Sequence, residues 1–198
     1  MNDPAEIALD GGRSNRASAV SAGLALVVVV IAVMWTIELV DSVLLDDELQ
    51  GNGIAPRERS GLEGIAFAPL LHLGWPHLIA NTIPFLVLGG LVSLWGWRRW
   101  LAVTTIIVVV GGIATWLVAR SGIHIGASGV VFGYFGFLLA AVFYERRLWP
   151  VVPAVIAIVA YGSAVVAGIA PTEGVSWEGH LFGALAGVLA AKVTASRE

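Results

Sequence analysis

The 198-residue chain contains no cysteine. That absence removes disulfides, thiolate metal sites and a cysteine nucleophile together. Charge is scarce as well: charged residues are 13% of the chain, against about 25% in an ordinary soluble domain. Lysine is nearly missing, with Lys192 alone beside ten arginines, and this bias together with the Ala, Val and Gly richness points to a GC-rich bacterial genome. What fills the chain instead is apolar. Hydrophobic residues make up 58% and mean hydropathy is +0.86, a composition that calls for lipid as the solvent. The length fits one compact membrane domain, and nothing in the composition asks for a nucleic-acid partner, a metal or an organic cofactor.

Residues 1–17 are polar and mixed in charge, and are read as an N-terminal tail rather than a cleaved signal sequence. The apolar stretch 19–40 is long enough for a bilayer core of about 30 Å, which needs roughly 20 residues. A long connection over 41–71 begins acidic, passes Gly51-Asn52-Gly53 and Pro56, and turns semi-apolar from Ile65 to Leu71. It is too broken to span and is placed at the interface. Further spans are read at 76–95, 100–118, 126–143, 149–169 and 177–193, with a bend expected in the fifth from Pro153 and Gly162. The eight tryptophans, mostly near span ends, read as interfacial anchors. The expected architecture is an all-α polytopic membrane protein: one six-span domain over 18–194, with tails at 1–17 and 195–198.

Basic residues orient the spans. With a cytoplasmic N-terminus, the inner side holds Arg13, Arg16, Arg98, Arg99, Arg146, Arg147, Lys192 and Arg197, and the outer side only Arg57, Arg59 and Arg120. Both termini are therefore expected in the cytoplasm. Glycines four apart recur at Gly129 and Gly133 and at Gly183 and Gly187. Such spacing lets membrane helices approach closely where lipid gives no hydrophobic drive for association.

In this arrangement spans two, four and six all run inward from the outer face. His77 and Asn81 fall in the first two turns of span two, Ser128 in the first turn of span four and His180 about one turn into span six. All four then share one depth, within roughly 10 Å of the outer ends at 1.5 Å per residue. Polar groups at that depth are costly unless partnered or facing a wet cavity. Ser128 is the well-placed nucleophile and needs a neighbouring base, which either histidine could supply. His77 and Asn81, at i and i+4, present donors from one helix face as an oxyanion hole requires. His180 arrives from another helix, free to take and return the serine proton. No carboxylate completes a triad: Glu178, two residues from His180, faces elsewhere on a helix. Phe132, one turn after Ser128, is placed to stack on the imidazole. His124 is read as a solvated loop residue that could influence contacts of the loop before span six.

These motifs resemble those of the rhomboid family of intramembrane serine proteases, in its bacterial six-helix form. The resemblance rests on Gly126-Ala127-Ser128-Gly129 as a GxSG motif and on His180 to Gly187 as HxxGxxxG, with Gly183 and Gly187 as its glycines. It rests also on His72, His77 and Asn81 at HxxxxHxxxN spacing, and it covers about residues 20–194. It implies Ser128 as nucleophile, His180 as base, and His77, Asn81 and the Ser128 amide as oxyanion donors, with His72 structural. It further implies single-pass membrane proteins as substrates, reaching the site beside span five under a cap at about 170–177. The expected location is the bacterial inner membrane, with the site opening outward. Two departures stand out: Phe132 occupies a position where tyrosine is frequent, and a first-loop Trp-Arg pair is missing, with Arg57 or Arg59 as its candidate replacement. The rival readings are a rhomboid-like protein that binds membrane helices without cutting them, and a transporter. The latter would call for mid-membrane ionisable groups or an inverted repeat, and the chain has neither.

Overall fold

A computed structural model describes residues 4–195, with side chains from residue 14 onward. Arg197 and the last three residues of the expected C-terminal tail lie outside the described residues, as does the Arg13 side chain. Regular structure among the described residues is helical, apart from one isolated antiparallel bridge between Ile54 and His124. In order, the helices are α1 (Pro4–Leu44), α2 (Ser60–Phe67), α3 (Gly74–Ser93), α4 (Trp97–Ile106), α5 (Gly112–Val118), α6 (Ser128–Tyr144), α7 (Val151–Ile169) and α8 (Trp177–Thr194). A π-helical turn over Ile107–Gly111 joins α4 to α5, so the two form one continuous rod.

Among the described residues, four stretches are long and apolar enough to cross a membrane: Ser14–Leu44, Gly74–Ser93, Trp97–Val118 and Val151–Ile169. Helix α6 is apolar but only 17 residues long, about 26 Å at 1.5 Å per residue. Helix α8 has 18 residues and carries Glu178, His180 and Lys192. Helix α1 begins at Pro4, well ahead of the apolar stretch, so the segment read as a tail is largely a helical extension of the first span. Pro153 lies in the first turn of α7, where its missing N–H removes no intrahelical bond, and the helix runs unbroken to Ile169.

Helix α6 is the centre: every residue from Val130 to Leu138 is buried. It packs on α8, α3 and α7, while α1 covers α3 and α4 from outside. The α6–α8 approach is made by missing side chains. A Cβ on Gly183 would strike the Gly129 carbonyl, one on Gly187 the Gly133 carbonyl, and one on Gly136 the Ala184 carbonyl. The π turn brings Gly111 to the same place: a Cβ there would lie 3.3 Å from Cα of Gly183. Trp100 departs from the expected interfacial role, being 1% exposed and packed against Tyr134 in the core.

The long first connection folds into a 3-10 turn (Glu48–Asn52), α2 and a second 3-10 turn (Ala68–Leu70). Backbone contact again fixes it. Cβ atoms on Gly61 and Gly64 would collide with the main chain at Ala55 and Gly53. Of its two arginines, Arg57 reaches across to α5, donating to the carbonyls of Leu117 (3.3 Å) and Ala119 (2.7 Å).

Candidate functional site

Five of the residues singled out in the sequence, His77, Asn81, Ser128, Phe132 and His180, line one cavity of about 910 Å³. Ser128 is the first residue of α6, entered through Gly126 at φ 110° and Ala127. Gly126 is required there twice over. The left-handed backbone penalises a Cβ, and that Cβ would lie 2.8 Å from Nε2 of His77 and 3.7 Å from Nδ2 of Asn81. As the opening residue of a helix, Ser128 also has a backbone N–H with no partner inside that helix.

His180, on the facing helix α8, is 8% exposed. Its Nε2 is 2.8 Å from Oγ of Ser128, and its Nδ1 is 2.8 Å from the carbonyl oxygen of Gly168 near the end of α7. A carbonyl can only accept, so Nδ1 carries the proton and Nε2 accepts from the serine hydroxyl. Phe132 stacks on the imidazole with centroids 4.1 Å apart and planes at 9°. No carboxylate meets His180 among the described residues. Glu178 is buried and turned away, accepting from the Arg120 amide at 3.3 Å and pairing with its guanidinium at 3.6 Å.

His77 is oriented by its own helix start: its Nδ1 accepts from the Leu73 N–H at 3.1 Å. The neutral ring then carries its proton on Nε2, the atom facing Gly126. Asn81, 5% exposed, donates one N–H to the His77 carbonyl at 2.9 Å and keeps a second for the cavity. His72 lies behind the site, 1% exposed and edge-on to His77 at 5.2 Å. Its Nε2 takes the Ala127 N–H at 3.4 Å, fixing the residue before Ser128. Burial first, and the neighbouring His77 second, push the His72 pKa down from 6.5 to about 4. Gly129, Gly183 and Gly187 lie in the α6–α8 contact and let the two helices close on each other.

His124 corrects the sequence expectation. It is 7% exposed rather than solvated, with Nδ1 2.6 Å from Oγ of Ser176 and Nε2 3.1 Å from the Arg120 carbonyl. The Arg120 guanidinium donates to the carbonyls of Thr172 (3.2 Å) and Val175. Residues 171–176, which roof the cavity, are therefore tied to the loop that leads into Ser128. Sequence reasoning passed over Arg120. The available signal was its isolation as a cation facing the stretch 170–178, whose charged residues, Glu173 and Glu178, are both acids.

A serine hydroxyl on an unprotonated imidazole nitrogen, beside converging N–H donors in an open cavity, is an arrangement suited to acyl transfer. The Rhomboid domain matches residues 60–197, and this chain belongs to the rhomboid family, as an integral membrane protein. It is 43% identical over 178 residues to "Uncharacterized protein Rv1337" of Mycobacterium tuberculosis, covering 85% of this chain and 73% of that one. It is 42% identical over 177 residues to "Uncharacterized protein ML1171" of Mycobacterium leprae, covering 84% and 69%. It is also 36% identical over 81 residues to "Putative rhomboid protease YdcA" of Bacillus subtilis, covering 40% and 41%.

Proposed function

We propose that the protein is an intramembrane serine endopeptidase that cuts single-pass membrane proteins near the outer end of their spanning helix. In this reading α6 and α8 join the four longer spans in a six-helix bundle of the bacterial inner membrane. Both termini are cytoplasmic, following the basic turns at Arg98-Arg99 and Arg146-Arg147. The observation that carries the reading is the 2.8 Å Ser128–His180 hydrogen bond, with the other imidazole nitrogen held by Gly168.

His180 takes the Ser128 proton on Nε2 as Oγ attacks the scissile carbonyl carbon. The carbonyl oxygen becomes an oxyanion, received by the Ser128 amide, Nε2–H of His77 and Nδ2–H of Asn81. Collapse breaks the C–N bond, the proton passes from His180 to the leaving amine, and an acyl-serine remains. Water then attacks that ester, giving its proton to His180, and Ser128 is restored with release of the new carboxyl end. A carbonyl inside a helix is already hydrogen-bonded, so the substrate must unwind locally first. The backbone carbonyl of Gly168 takes over the orienting part that an aspartate plays in a triad.

The test is cleavage of a model single-span substrate by the purified protein in lipid. Wild type cuts, Ser128→Ala and His180→Ala are inactive while folded, and His77→Ala or Asn81→Ala falls about 100-fold. A folded wild type inert toward several substrates would move the chain to the helix-binding, non-cutting class. Full activity in Ser128→Ala would overturn the mechanism.

A further inference from the structure

The end of the bundle opposite Ser128 contains a second cavity, of about 380 Å³. It lies where the α3–α4 turn, the α6–α7 loop, α1 and the last residue of α8 come together. The tight α3–α4 turn depends on Gly96, at φ 87°, whose Cβ position lies 3.4 Å from that of Ala19 on α1. Two indoles form a wall, Trp95 and Trp149, with ring centroids 4.3 Å apart.

The charge in this cavity is unbalanced. Three arginines line it, Arg16, Arg99 and Arg147, against a single carboxylate among the described residues, Glu145. Glu145 is already committed: its Oε1 pairs with Arg99 at 2.5 Å and accepts the Trp95 indole N–H at 3.2 Å. Arg99 is further held by Thr194, to which its Nε donates at 3.0 Å. Arg16 and Arg147 are exposed and make no ion pair among the described residues. The Arg16 guanidinium rests 5.7 Å from the Trp149 ring centroid, which positions it at the wall without neutralising it. The result is a preformed recess with an excess of two guanidinium charges, whose fixed N–H forks match the oxygens of a phosphate. At about 30 Å³ per water the recess holds about a dozen, room for a phosphodiester headgroup. Beside it, Phe143 and Leu148 are 85% and 87% exposed, so apolar side chains flank Arg146 and Arg147 where acyl chains would lie.

We propose that this cavity is a phosphate-binding site, with the headgroup of an anionic phospholipid as its ligand. Arg16 and Arg147 grip the phosphate oxygens, Arg99 and the two indoles shape the recess, and the acyl chains run past Phe143 and Leu148. The site is separate from the Ser128 cavity and does not depend on the proteolytic reading.

The full chain in nanodiscs of phosphatidylcholine mixed with phosphatidylglycerol, released for native mass spectrometry, tests it. The wild type retains phosphatidylglycerol in preference to phosphatidylcholine. Each of Arg16→Gln and Arg147→Gln weakens retention about fivefold, and the pair about 25-fold, while Arg57→Gln at the other end has no effect. A thermal melt in detergent verifies that each variant is folded, and Arg147→Gln alone suffices where the pair is not. A second arm titrates inorganic phosphate into the detergent-purified protein and follows the thermal melt. No stabilisation at millimolar phosphate upholds the lipid headgroup. Stabilisation that disappears in the arginine variants upholds the phosphate site but overturns its lipid source. Equal retention of both lipids, or unchanged retention in folded Arg16→Gln/Arg147→Gln, overturns the proposal.

Discussion

Helices α6 and α8 meet through glycines, with carbonyls of one chain segment lying where side chains of the other would be: Gly129 against Gly183, Gly133 against Gly187, Ala184 against Gly136. Helix α7, next to them, buries only Pro153, Ala154, Ala157 and Val165 and leaves Val159 and Val166 81% and 75% exposed. The first pair carries Ser128 and His180, the groups proposed to react, and the looser helix supplies the Gly168 carbonyl that sets the imidazole tautomer. The contrast separates two tasks. Close backbone packing holds the Ser128–His180 distance, because small residues are what allow tight helix association in lipid. Orientation of the imidazole depends on a helix with far less packing of its own.

Substitutions break this comparison in graded ways. The largest effect is expected on the seam: Gly187→Val forces side-chain atoms into the Gly133 carbonyl and costs about 3 kcal/mol or the fold itself, read as loss of the thermal transition in detergent. Next comes the residue that fixes the seam's start. His72 is held neutral with its pKa near 4 against the usual 6.5. Between those values the unfolded chain binds a proton that the folded chain refuses, so stability is full above pH 6.5 and falls as pH drops toward 4. The loss is on the order of 3 kcal/mol, and His72→Gln flattens that part of a melting-temperature–pH profile.

On α7 the expected effects fall on activity more than on stability. A Cβ on Gly168 would lie 2.5 Å from Cζ of Phe132 and 3.3 Å from Nδ1 of His180. Gly168→Ala therefore tilts the stacked imidazole and lowers kcat about 10- to 100-fold, with a melting shift worth about 1 kcal/mol. Gly162→Ala is the control on the same helix. Its Cβ meets only Cγ2 of Ile158 at 3.7 Å, and stability should hold or rise by up to about 1 kcal/mol with unchanged cleavage. A large loss in Gly162→Ala would show α7 to be as tightly packed as the seam.

Much of this arrangement was legible in the residues. Apolar run lengths marked the helices, and their order predicts a shared depth for Ser128, His77, Asn81 and His180, which line one cavity. Phe132 could be assigned to the imidazole because i+4 on a helix is the same face. The π turn at Ile107–Gly111 could not be read, since an extra residue in a turn leaves a uniformly apolar stretch unchanged. The helical extension of α1 was hidden because polar residues at a helix end carry no hydropathy signal. The hydrogen bonds that bury His124 and engage Arg120 were missed for another reason: their partners, Ser176, Thr172 and Val175, lie about fifty residues away. Charge sign hints at the Arg120–Glu178 pair, but local pattern gives no hint of hydrogen bonds to loop groups at that separation. The backbone partner of Nδ1 was invisible for the same reason, as a carbonyl has no sequence identity.

In the proposed mechanism Ser128 is made nucleophilic by His180. Incubating wild type, Ser128→Ala and His180→Ala with a fluorophosphonate in lipid, followed by peptide mass spectrometry, addresses it directly. One adduct on Ser128 in wild type, and none in either folded variant, is the predicted result. An unlabelled, folded wild type, or equal labelling in His180→Ala, would contradict it.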